Sequence, residues 1–282
     1  MLIDAIRAEL WRFWHNGTAV FWGLFFIPLS GFVVGVFWRH YLGGKLVQAR
    51  EALVPGFDAA PKVMVLGEKL VDKTAGLADP GLIAFFLIAA AALFASDYRW
   101  ETWRLIRPRN SRQNQILGKT LAMAAVALVP LLCVLLGEAM GQIINATLDQ
   151  SRIAIGFKGD HFMAALGLIG LAWWRVCQIA LLVLATAVIT RSMAASLLVP
   201  LAIAVGMFLL QRMTGLFGWT PTSWSTLLTF PAVGFEHLQA AIMGAKIQGL
   251  VVLKSLLGIV LWTGAPLALA LYVFDNQDLS KE

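Results

Sequence analysis

The sequence predicts an all-α integral membrane protein: an N-terminal interfacial helix, six transmembrane helices, and a membrane-dipping segment between helices 5 and 6. Three observations carry this. The chain is 59% hydrophobic and only 13% charged, with a mean hydropathy of +0.77, whereas soluble domains carry about 25% charged residues. Six apolar runs, near 18–38, 81–96, 116–145, 161–190, 193–213 and 249–274, approach or exceed the length needed to cross about 30 Å of hydrocarbon. Open strands leave backbone groups unsatisfied in lipid, so the spans are helices. One transmembrane domain, 1–282, follows.

Residues 1–16 are too charged for a signal peptide, because Asp4, Arg7, Glu9 and Arg12 interrupt any apolar run. At 100° per residue Ile3, Ile6, Leu10, Phe13 and Trp14 share one face, with Asp4, Glu9, Arg12 and His15 opposite. That pattern predicts an amphipathic helix in the membrane interface. The run at 81–96 is the shortest span, whereas 116–145 and 161–190 are long enough to tilt.

Between the second and third spans lies a polar island, 97–119. It holds Arg99, Arg104, Arg107, Arg109, Arg112 and Lys119, six of the 22 Lys and Arg residues. The Lys and Arg tally divides equally between the two faces of the membrane. The density of this short loop places it, with both termini, on the cytoplasmic side. Segments 39–80 and 214–248 are then extracytoplasmic. The latter contains Trp219, Pro221, Trp224, Phe230, Pro231 and Phe235 and almost no charge, so it is expected to fold back as short helices buried against protein.

The net charge of +6 and pI near 9.6 are explained by basic loops at an anionic membrane face, and no nucleic-acid partner is expected. Cys133 and Cys177 fall inside apolar runs and give no disulfide framework or metal spacing. Gly118-Lys119-Thr120 is not a phosphate loop, because Gln113 stands where its first glycine belongs. No catalytic residue and no metal ligand set emerges, and the chain is not expected to be an enzyme by itself.

Polar groups within the spans cost roughly 2.5–3.5 kcal/mol each when charged. Glu138, Gly141, Gln142 and Asn145 form an i, i+3, i+4, i+7 stripe, and Arg175 is followed by Gln178 one turn on. Two readings stand: these residues line a translocation path, or Glu138 and Arg175 pair and lock two helices. Lys254 lies near a span end and can snorkel.

The island carries a further signal. Asp97, Thr102, Arg104, Leu105, Pro108, Ser111, Arg112, Ile116, Leu117, Gly118 and Lys119 occur in that order. This resembles the first cytoplasmic loop of ABC-2 type permeases, the membrane subunits of one class of ATP-binding cassette exporters, which read approximately E-x-x-x-G-T-x-R-x-L, then proline, S-R and G-K. Asp97 replaces the usual glutamate, Glu101 stands at the glycine, and the spacing around Pro108 differs.

The resemblance implies a permease subunit that forms the translocation path and pairs with a second permease subunit, as homodimer or heterodimer, in the cell (inner) membrane. A separate cytoplasmic ABC ATPase would hold ATP and Mg²⁺, with no cofactor on this chain. Residues 97–115 would be the coupling helix. Asp97, Trp100, Glu101, Trp103, Arg104, Arg107, Pro108, Ser111 and Arg112 would dock on that ATPase, the tryptophans as apolar anchors. Two alternatives remain: a membrane anchor or assembly subunit of a larger complex, and a secondary transporter without ATPase.

Overall fold

The computed structural model describes residues 2–53, 64–99, 111–148, 153–154, 156 and 159–277. Among them six helical segments are long and apolar enough to cross a membrane: Gly17–Trp38, Pro80–Tyr98, Arg112–Thr147, His161–Thr190, Met193–Arg212 and Gly249–Asn276. The chain is thus a multi-pass membrane protein whose described residues are almost all helical. Its span ends lie within a few residues of those expected.

Helix α1 (Leu2–Trp14) precedes the first span, which opens with a short α2 (Gly17–Val20), one π-helical turn (Phe21–Phe25) and α3 (Phe26–Leu53). Pro28, three residues past the turn, has no N–H for the Leu24 carbonyl, so the wide turn contains the carbonyl that the proline leaves free. α3 runs well past the expected span end at 38.

α4 (Leu66–Ala75) buries Gly67, Val71 and Thr74, spaced i, i+4, i+7, and turns Lys69, Asp72 and Lys73 outward. It packs on the third and fourth spans. Strand β1 (Met64–Val65) pairs in parallel with β2 (Ile153–Ala154), joining the two connections on that side.

α5 (Pro80–Arg99) is the second span and the most buried. The third is not one helix. α6 (Arg112–Val126) and α7 (Leu128–Leu148) are interrupted at Ala127, three residues before Pro130, whose missing N–H frees the Val126 carbonyl.

α8 (Gly159–Thr190) is the hub, packing against α4, α5 and both later spans, α9 (Met193–Arg212) and α12 (Gly249–Asn276). The main core lies between α5 and α8, where Phe86, Leu87, Phe94, Val176, Leu184 and Val188 are almost fully excluded from solvent.

The aromatic segment before the last span forms α10 (Trp224–Thr229) and α11 (Pro231–Ile242), both packed on α12. Gly258 makes this possible, since a Cβ there would stand 2.2 Å from the Leu227 carbonyl oxygen. Trp262 Nε1 donates to the Leu228 carbonyl (2.8 Å). Gly258 is nine residues into α12, about 13 Å along its axis at 1.5 Å per residue. The short helices therefore pack against the last helix well inside its length.

Candidate functional site

Two polar systems stand out, one at each end of the bundle. The first lies where the basic island leaves α5 and enters α6. Asp97, with 0% exposure, sits between Arg12 and Lys119. Lys119 Nζ is 2.7 Å from Asp97 Oδ2 and 3.0 Å from Glu9 Oε2, and it also donates to the Leu93 carbonyl at 2.9 Å. Arg12 returns to Glu9 at 3.2 Å. Two acids and two bases thus join α1, α5 and α6.

The local sequence builds this joint. Gly118 lets α1 approach closely, since a Cβ there would be 2.9 Å from that of Ala5. One residue on, Lys119 reaches Glu9. Burial alone would lower the Arg12 guanidinium, but hydrogen bonding and charge from Asp97, with Glu9 behind, raise it above its ordinary value.

Two expectations change here. Asp97, expected on the docking surface, is withdrawn from it: its buried carboxylate is committed to Arg12 and Lys119. The polar face of α1 does not turn wholly to headgroups either. Glu9 and Arg12 point into the protein beside Phe13, while Ile3, Trp11 and Trp14 stay exposed. The cause is long-range: buried Asp97 and Lys119 lower their cost by recruiting charges from α1.

Of the other docking residues, Ser111 caps α6 by accepting from the Asn114 N–H (3.3 Å). Arg112 is committed to the end of the last helix. Its Nη1 donates to the carbonyls of Phe274 (3.1 Å), Asp275 and Gln277 (3.0 Å), a cation on helix C-terminal oxygens. Gln277 in turn donates to the Val188 carbonyl (2.6 Å). α1, both described edges of the island and the last helical turn therefore lie at one end of the bundle. Trp100, Glu101, Trp103, Arg104, Arg107 and Pro108 lie outside the described residues.

The second system is a pair of cavities toward the opposite end. Glu138, Gln142 and Asn145 line a cavity of about 360 Å³ of mixed character, with Lys73 and Asp79. Gln142 Nε2 donates to Glu138 Oε1 (2.6 Å), and Lys73 Nζ stands 3.8 Å from Glu138 Oε2.

Arg175 and Gln178 line a separate, mostly apolar cavity of about 340 Å³ between α5, α8, α9 and α11. Gln178 donates to the Ile259 carbonyl (3.3 Å). The Glu138–Arg175 pair does not form: the partner of Glu138 is Lys73, and the five expected path residues are divided between two cavities.

The sequence reading missed Lys73, Asp79, Glu9 and Arg12 as members of these systems. Comparisons with protein-family models, curated proteins and solved structures found no match.

Proposed function

We propose that this chain is the permease subunit of an ABC-2 type exporter, working with a second permease subunit and driven by a separate cytoplasmic ATPase. In this reading it lies in the cell (inner) membrane with both termini cytoplasmic. Segments 39–80 and 214–248 face outward, and ATP with Mg²⁺ is bound by the partner.

The observation that supports it most is the four-charge joint. It fastens both ends of the basic island, through Asp97 and Lys119, to each other and to α1. A push on the island is then shared by three helices instead of being absorbed at a loose connection. The helices move as a body, the mode suited to ATP-driven opening of cavities at the far end.

The test is whether a nucleotide-binding ATPase co-purifies with this chain, followed by ATP hydrolysis in the reconstituted complex. Arg104→Glu combined with Arg107→Glu is expected to weaken association by about tenfold or more. Unchanged association and hydrolysis would remove the docking role.

A further inference from the structure

Arg175 stands inside the bundle with no ion pair among the described residues. It lies midway along α8, and among the described residues no carboxylate comes within salt-bridge distance of it. Its near contact is the ring of Phe235, 5.8 Å from the guanidinium carbon. The charges that bear on it from farther off are Glu236 and Asp79. Asp79 is held at the start of α5, where its Oδ1 accepts from the N–H groups of Gly81 (2.7 Å) and Leu82 (3.4 Å). A partly buried cation with no ion pair within reach carries a desolvation cost, and within spans such residues mark functional sites.

Its surroundings define what would neutralise it. On one side is the 340 Å³ cavity, walled by Ile83, Leu87, Leu201, Val205 and Phe208. On the other is a smaller, more polar cavity of about 220 Å³, reached past Asp79 and Gln239. Arg175, Pro80 and Phe235 belong to both, so the guanidinium stands at the junction. The apolar side is not sealed. Leu201, Val205 and Phe208, at i, i+4 and i+7 on α9, are 37%, 51% and 56% exposed. An apolar chain can enter there from the lipid side.

We propose that this site binds a single-chain amphipathic monoanion, with its hydrocarbon chain along α9 and its carboxylate on Arg175. One guanidinium matches one negative charge, and a planar carboxylate suits its paired N–H donors. Gln239, which lines the more polar cavity with Arg175, offers a further donor. Naming the amphiphile as cargo rests on the exporter reading, whereas its binding requires no ATPase.

The experiment uses the full chain in phosphatidylcholine nanodiscs, without ATPase, and a palmitate bearing a photoreactive diazirine. Labelled residues are expected within 201–211 and 83–87. Arg175→Gln is expected to cut labelling about tenfold or more. Ala204→Phe, which fills the cavity and leaves the charge, is expected to do the same, and Lys254→Gln to leave labelling unchanged. The matching diazirine alcohol should label at least about tenfold less than the acid. Equal labelling by the alcohol, undiminished labelling of Arg175→Gln, or labels elsewhere on the chain would overturn the proposal. Any of these would leave ATPase docking untouched, just as loss of docking would leave labelling untouched.

Discussion

The joint at Asp97 and the cavity at Arg175 handle charge inside the bundle in opposite ways. At the joint, Glu9, Arg12, Asp97 and Lys119 neutralise one another within hydrogen-bonding distance. At the cavity, one guanidinium faces apolar walls and an aromatic ring. A closed network fixes helices relative to each other. An open charge is held for something that arrives. Residue type and depth alone do not separate the two cases; what separates them is whether partners reach the charge from other helices.

The largest effect is expected from opening the closed network. Asp97→Asn leaves Lys119 and Arg12 short of a counter-ion, and breaking a buried pair from one side costs about 3–5 kcal/mol. Chemical denaturation in detergent, followed by tryptophan fluorescence, measures it. Adding Lys119→Met to Asp97→Asn is expected to recover part of that loss, because the orphaned cation goes too. A double-mutant cycle in which the two losses simply add would show that the residues act independently.

Next in size is Gly258→Ala. Its Cβ would meet the Leu227 carbonyl oxygen at 2.2 Å, displacing α10 and with it the aromatic wall of the Arg175 cavity. Overpacking of this kind costs about 1–3 kcal/mol, and palmitate labelling should fall although Arg175 is intact. The smallest effect belongs to Lys73→Met. The 3.8 Å contact with Glu138 is partly exposed, with side-chain accessibilities of 43% and 26%, so its loss should cost no more than about 1 kcal/mol.

The same contrast explains what the sequence made legible. Apolar runs encode span positions directly, which is why the ends at 190, 193 and 249 coincide with the helices. The break at Ala127 is also written in the chain, because Pro130 leaves the Val126 carbonyl without its N–H. Pairing between helices is not written there. Glu138 and Arg175 look like natural partners from depth alone, but they line different cavities, and Lys73 of the amphipathic α4 reaches Glu138 instead.

Asp97 is visible in the sequence as the first residue of a motif that ends at Lys119, its buried partner. Nothing local reveals that Glu9 and Arg12, far away in the chain, bury it. The spacing of Glu9 and Arg12 on α1 was the available signal: two opposite charges, one turn apart, beside an inward Phe13.

The claim that Arg175 is held open while Asp97 is closed is tested most directly by comparing the thermal unfolding of Asp97→Asn and Arg175→Gln with that of the unaltered chain in one detergent. Asp97→Asn is expected to lower the midpoint by on the order of 10 °C. Arg175→Gln should leave it unchanged or raise it, because removing a half-buried cation that has no ion pair relieves a cost. A fall for Arg175→Gln as large as that for Asp97→Asn would mean that Arg175 is already satisfied by the protein, and would contradict the account.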